Sequence, residues 1–532
     1  MSSSNESRPR VSRSCANCRA VRRRCDKQVP HCGQCIRTRE VCAGYRDEWD
    51  LLFRDQTSHT VKRSKEIEAQ KKSSAKTAAT PPPACSLIPN IDEIGVNYFF
   101  DNFVAKGSSS CGYLNYISTI SKSDGQHSTL VASMAAVGLV TLANAARQPK
   151  LVSHARVKYS EAIQRVNLAL QSPVESLKDS ILMSVISLGV FENVSNFASW
   201  ARHVQGAAAL LVARGKSQFT STAAILMFNQ VRADMTVACV HGNRPFPEEL
   251  LELQEEATKH TAASSAFWIL GVLATRHVNL LWKVRQNTAQ IPWSHLLDEA
   301  TVLQNDFEQV FGNLAVQEPY TTILEGGGDP DIIFNGRYDL YHSTWAIRVW
   351  NNTRMLQMIV CNIIYYLLTK ALAMDLTPAL RAHIKLRVEK TLEIQSKLES
   401  DMLATVPQAL GYVSSAAQHH SSVDFTSPAS VSGSYLLTWC LYTVGQSVVA
   451  KSKTRQWVIR HMQEIGKHAG IAMALQLVEN IVTLDELRRA AGEDDGLREF
   501  RDVLSIQSEE SKISGDSWVL SGTSSEISQS LG

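Results

Sequence analysis

Six cysteines fall within residues 15–42 in the spacing C-x2-C-x6-C-x6-C-x2-C-x6-C: Cys15, Cys18, Cys25, Cys32, Cys35 and Cys42. The whole chain holds 11 cysteines in 532 residues, so at its average density this window would hold fewer than one. The leading stretch MSSSNESRPRVSR has no apolar h-region and runs straight into basic residues, which reads against secretion and for a reducing compartment. Thiols gathered this closely in such a compartment are metal ligands rather than disulfides.

Each C-x2-C pair lets two sulfurs grip one tetrahedral ion across a tight turn, and the motif C-x2-C-x6-C occurs twice. Two zinc ions with four private ligands each would need more donors than six thiolates supply. His31 sits beside Cys32, from where a side chain rarely turns to the same ion, and the window has no second histidine. Two sulfurs shared between both ions close the shortfall, which favours a binuclear, all-thiolate cluster. RING and LIM patterns need more ligands and wider spacing, and the arginine-rich spacers give an iron–sulfur cluster no support.

In these residues the segment resembles the fungal Zn2Cys6 (zinc binuclear cluster) transcription regulators. The likeness extends to the basic run before the third cysteine, to Asp26 just after it and to Pro30 two positions before the fourth. It implies two structural zinc ions, with Cys15 and Cys32 bridging, Cys18 and Cys25 completing one site, and Cys35 and Cys42 the other. Such sites are closed, with no open position for a substrate, and the segment is expected to unfold without metal.

Between the second and third cysteines lies Arg19-Ala20-Val21-Arg22-Arg23-Arg24, with Lys27 just beyond. Residues 8–46 carry 11 Lys/Arg against 2 Asp/Glu, whereas the chain as a whole has a net charge of only +3. A basic head on a mildly acidic body points to double-stranded DNA as the partner of the head alone. Arginines that neutralise phosphates give salt-dependent affinity without sequence information, and an Arg fork matches the O6/N7 edge of guanine in the major groove. The resemblance implies a short helix in that groove reading a CGG-like triplet. Carried over by position, Arg22 is the expected base reader, with Arg19, Arg23, Arg24 and Lys27 as phosphate or secondary contacts. Val21 stands where the family often has a basic residue.

The expected organisation is a disordered basic N-terminus (1–14), the cluster (15–42), a linker (43–90), an all-α domain (91–490) and a disordered acidic, Ser-rich tail (491–532), so that the fold class is mainly α. The linker ends in low-complexity sequence with prolines at 81–83. A dimerising zipper there is unsupported: from Trp49 the a/d series reads Trp49, Leu52, Gln56, His59, Arg63, Glu66. Monomer and dimer both stay open. Helical apolar spacing marks Leu130–Ala146, Val157–Leu170, Leu177–Phe191, Leu356–Ala373 and Leu380–Leu398, with breaks at Arg244-Pro245-Phe246-Pro247, at Gly326–Pro330 and at Ser427-Pro428. Leu130–Ala146 and Met355–Met374 approach the length of membrane spans but read as buried core helices, and no membrane partner is expected.

Phe191-Glu192, Trp200, His203, Gly206-Ala207, Leu210-Leu211 and Arg214-Gly215 resemble part of the fungal-specific transcription factor domain, as do Trp457, Ile465-Gly466 and Gly470-Ile471. Taken singly, such residues are usually helix packing. Gly215-Lys216-Ser217 lacks the upstream glycine of a P-loop, and His419-His420 has no ligand company. No G-x-S-x-G, H-E-x-x-H or G-x-G-x-x-G occurs, so no enzyme is expected. Cys239, Cys361 and Cys440 read as core, with Cys85 and Cys111 left over. The tail from Glu493 holds 9 acidic against 3 basic residues with Phe500, Leu504, Trp518, Val519 and Leu520 interspersed, a composition suited to contacting a coactivator or corepressor. Three functions compete: a nuclear, zinc-dependent, sequence-specific transcription regulator; an enzyme with a DNA-tethering head; and a zinc-binding protein-interaction module. The residues favour the first, and the resemblance implies a metabolic or secondary-metabolite gene set.

Overall fold

In a computed structural model of the chain, the described residues are 14–45, 90–104, 114, 116–123, 127–195, 199–262, 264–286, 291–324, 328–413 and 428–490. The residues expected to form a basic N-terminus before Ser14, a linker over 46–89 and an acidic tail beyond 490 lie outside them, as do Cys85, Cys111 and His419-His420. The chain divides into two units, Met1–Leu87 and Ile88–Gly532.

The first unit holds two single-turn helices, α1 (Ala16–Ala20) and α2 (Gly33–Arg37). The second runs through α3 (Ile91–Phe103), α4 (Ile117–Ser123), α5 (Ser128–Ala145), α6 (Pro149–Leu170), α7 (Asp179–Ser195), α8 (Trp200–Arg214), α9 (Thr222–His241), α10 (Glu248–Thr258), α11 (Ala266–Gln286) and α12 (Trp293–Gln317). A hairpin follows, β1 (Tyr320–Leu324) with β2 (Arg337–Tyr341). Then come α13 (Thr344–Leu372), α14 (Pro378–Leu403), α15 (Val406–Ala409), α16 (Pro428–Gln446), α17 (Ser452–His468) and α18 (Ala472–Ala490).

Local chemistry sets the helix starts. The side chains of Asn90, Ser221, Ser343 and Thr377 accept hydrogen bonds from Asp92, Ala224, Ala346 and Leu380 N–H, satisfying donors that a first turn leaves unpaired. Pro149 and Pro378 sit in first turns, where a missing N–H costs nothing. The Arg244–Pro247 break separates α9 from α10, as its turn chemistry predicts.

Apolar residues of the large unit form two main cores. One gathers Phe99, Phe103, Val137, Leu188 and Phe228, and the other Phe307, Ile363, Leu368, Met462 and Ile481. α11 joins them, giving Trp268 and Val278 to the first and Leu273 and Leu281 to the second; α16 does the same with Val431 and Leu437. A polar tie reinforces the join between distant parts of the chain: the Asn144 amide donates to the carbonyls of Val194 and Gly470, both at 3.0 Å.

The domain is not wholly helical. β1 and β2 pair antiparallel with Tyr320 opposite Tyr341, their rings stacked at 4.7 Å. YTTIL and RYDLY are rich in aromatic and β-branched residues, which suit a pleated, half-buried surface. The Asp339 N–H donates to the Ala404 carbonyl at 2.8 Å, and the Arg337 guanidinium pairs with the buried Asp339 carboxylate at 3.0 Å. These contacts anchor the hairpin to the helices. α13 also begins 12 residues before the expected Leu356. Its early turns carry Asn351 and Arg354, polar yet buried, with the Arg354 guanidinium 5.0 Å from the Trp350 ring centroid and 5.4 Å from that of Tyr320.

α5 and α13 are the two described helices long and apolar enough to cross a membrane, and 72% and 61% of their most apolar windows are buried within the fold. Cys239, Cys361 and Cys440 are likewise buried. α3 crosses α5 at bare backbone: a Cβ on Gly138 would lie 1.8 Å from the Gly95 carbonyl oxygen. Gly138→Ala is therefore expected to cost about 1–3 kcal/mol, the usual range for overpacking a tight contact. Denaturant unfolding of the large domain checks this.

Candidate metal centre and nucleic-acid interface

The first unit is built twice, with an offset of 17 residues. Cys15 and Cys32 stand at the N-caps of α1 and α2, in extended conformations with φ near −61° and −62°. The Arg19 N–H donates to Cys15 O and the Ile36 N–H to Cys32 O, at 3.0 and 3.1 Å. At the other ends, the N–H groups of Arg23 and Glu40 reach back to Cys18 O and Cys35 O at 3.0 and 2.9 Å. Each helix then turns through a left-handed residue, Arg22 (φ 52°) and Arg39 (φ 55°). This closure satisfies the last carbonyls and stops the helix after one turn.

The repeat brings the sulfurs together. Cys15, Cys18, Cys32 and Cys35 are buried, with sulfurs all within 4.8 Å of one another. Cys15 Sγ lies 3.7 Å from Cys35 Sγ, Cys18 Sγ 3.7 Å from Cys32 Sγ, and Cys25 Sγ 3.5 Å from Cys32 Sγ. A disulfide would bring sulfurs to about 2.05 Å, so these are free thiols in contact. Four sulfurs at about 2.3 Å from a tetrahedral zinc are roughly 3.8 Å from one another. The observed separations fit the edges of such tetrahedra. Cys32 touches sulfurs of the first half and Cys15 one of the second, which suits two ions that share ligands.

Charge supports the same reading. Burial pushes the Cys32 thiol up to about 11. Burial opposes ionisation of Cys25 too, but N–H groups of Cys15 and Lys27 outweigh it and bring this thiol down to about 6. Six thiolates packed together require compensating positive charge, and two structural zinc ions supply it. Part of the compensation comes from protein. Arg23 Nε and Nη2 donate to Cys18 Sγ at 3.3 Å and Cys35 Sγ at 3.4 Å, and the same guanidinium forms a two-point ion pair with Glu40.

Other contacts close the unit. Asp26 Oδ1 accepts from the Gly33 N–H at 3.0 Å, capping α2, and a side chain at Gly33 would collide with that carboxylate. The Asn17 amide donates to Val41 O at 3.0 Å and accepts from the Ala43 N–H at 3.1 Å. Tyr45 donates its hydroxyl to Gln28 O at 2.7 Å.

The expected DNA-contacting residues separate into two groups. Arg22, Arg24 and Lys27 are exposed, with Val21 beside them also exposed. Arg19 is half-buried and donates to Ser14 O at 2.6 Å, and Arg23 is turned inward onto the sulfurs. The structural use of Arg23, Asn17 and Tyr45 is absent from the sequence reading. The repeat carries one signal for it, since Arg23 and Glu40 occupy equivalent positions.

In the second unit, the residues that stood out by resemblance form a packed network. Tyr159 donates to Glu192 at 2.6 Å, meets His203 Nε2 at 2.7 Å and stacks on Phe191 at 4.2 Å. Arg214 pairs with Asp179, Gly215 ends α8 at φ 69°, and the Trp457 indole donates to Pro330 O at 3.1 Å.

Residues 13–50 match the family described as the fungal Zn(2)-Cys(6) binuclear cluster domain, and residues 96–258 match the fungal specific transcription factor domain. Comparison with curated proteins and comparison with solved structures gave no match. Arg23→Ala removes both the sulfur contacts and the ion pair, so zinc release to a chromophoric chelator should be several-fold faster. Glu40→Gln keeps the sulfur contacts, and with only an exposed pair lost its release rate should stay close to that of the parent.

Proposed function

We propose that the chain, which matches the fungal Zn(2)-Cys(6) cluster over residues 13–50 and the fungal specific transcription factor domain over residues 96–258, is a transcription regulator that reads a CGG-like element in the major groove to control RNA polymerase II transcription of a metabolic or secondary-metabolite gene set. Both matched domains are regulatory rather than catalytic families. The zinc ligands are Cys15 and Cys32, shared, with Cys18 and Cys25 on one ion and Cys35 and Cys42 on the other. The nucleus is the place of action, and coactivators or corepressors are the protein partners.

One observation carries the reading: on a zinc–thiolate scaffold, Arg22, Arg24 and Lys27 face solvent, while Arg23 is used up inside. A guanidinium at the abrupt end of α1 can reach a base edge while its neighbours hold phosphates. Arg22 is the base reader. Arg24 and Lys27 neutralise phosphate, and Arg19, whose guanidinium already serves the Ser14 carbonyl, contributes charge beside them. Val21 offers no donor beyond its backbone, so discrimination rests the more heavily on Arg22.

Arg22→Ala is expected to cost about 1–3 kcal/mol on the preferred site and to relax choice at one base step. Arg24→Ala should weaken binding evenly across sequences and lower the salt slope by about 1. Site selection from random duplexes, with titrations at several salt concentrations, measures both. An unchanged motif with unchanged discrimination in Arg22→Ala would remove the base-reading role.

A further inference from the structure

The large helical unit carries a cleft of about 220 Å³ where the starts of α7 and α9 meet the end of α8. Asp179 opens α7, Arg214 ends α8, and Gln218, Thr220 and Ser221 come from the turn that leads into α9. Gly215, in the left-handed region, turns the chain back after α8. The Gln218 amide thereby folds onto that helix and donates to Leu211 O at 2.8 Å and to Gly215 O at 2.7 Å. Ser221 Oγ accepts from the Ala224 N–H at 3.1 Å, a bond that does not use its own proton.

Two buried polar atoms on these lining residues, Arg214 Nη1 and Gln218 Oε1, have no hydrogen-bond partner among the described residues. The Arg214 side chain and Gln218 are each only 9% exposed. Gln218 cannot reverse its amide to help, because its nitrogen already serves two carbonyl oxygens. Arg214 is no spare cation: its Nη2 pairs with Asp179, so together they bring no net charge to the cleft. The two unused atoms are opposite in kind. Arg214 Nη1 needs an acceptor and Gln218 Oε1 needs a donor, and leaving both unmet in a buried setting is unfavourable. An anion would serve the first atom and face the Asp179 carboxylate. An ammonium group would serve the second and face the guanidinium. A hydroxyl both accepts and donates without charge.

We infer that the cleft binds a neutral polyhydroxylated molecule, a sugar or polyol, with one hydroxyl accepting from Arg214 Nη1 and another donating to Gln218 Oε1. Leu177 and Ala224 supply a little apolar surface for its carbon skeleton. Size allows this occupant, since a cavity of roughly 150 Å³ already takes up benzene and the cleft measures about 220 Å³. The site belongs to the large unit and does not depend on which DNA element the cluster prefers.

The test is calorimetric titration of the zinc-loaded full chain with D-glucose, xylitol and myo-inositol, set against cyclohexanol and inorganic phosphate. At least one polyol should bind saturably, and about tenfold or more tightly than cyclohexanol or phosphate, the effect of roughly one good hydrogen bond. Arg214→Lys keeps a cation beside Asp179 but removes the unused arm, and should weaken polyol binding by about tenfold. Thr220→Trp, at an exposed position on the cleft, should block it and abolish binding. The inference is overturned if no polyol saturates, if cyclohexanol or phosphate binds as tightly as the polyols, or if either variant binds them unchanged. The comparison of probes on the unaltered chain decides the matter even if a variant fails to fold.

Discussion

Sulfur atoms held 3.5–3.7 Å apart without bonding are the arrangement from which the rest of the first unit follows. Thiols so crowded resist losing their protons together, and burial deepens the resistance at Cys32. Zinc reverses the balance because each ion binds thiolate, so metal binding and folding become one event. Every other contact in the unit serves that geometry. Cys15 and Cys32 double as N-caps, Asp26 fixes the start of α2, and Arg23 lays its guanidinium on two sulfurs while Glu40 holds it. With its interior made of sulfur, the unit is free to use nearly its whole surface for a partner. The exposed Arg22, Arg24 and Lys27 are the consequence.

The second unit solves a different problem. Its two main cores share α11 and α16, so a change of packing in one has a direct route to the other. Such coupling suits a regulatory body.

Much of the metal centre was legible in the sequence because its information is local. C-x2-C spacing fixes two ligands on one turn, and six thiols leave few ways to satisfy two tetrahedral ions. What escaped needed three dimensions. Arg23 looks like one more basic residue until the 17-residue repeat sets it against Glu40. Among the helices, apolar runs located α5, α7 and α14 well. They missed the first turns of α13, where Asn351 and Arg354 are buried through hydrogen bonds and aromatic rings instead of apolarity. The hairpin escaped for a related reason: two five-residue strands are too short to register against helical surroundings, and their pairing spans a Gly-rich loop.

The account turns on two zinc ions sharing six thiolates. X-ray absorption at the zinc edge, with zinc stoichiometry on the same purified chain, tests this most directly. The expected result is two zinc per chain, an all-sulfur first shell at about 2.3 Å and a zinc–zinc scattering path. One zinc per chain, or nitrogen and oxygen in the first shell without a second zinc nearby, would contradict it.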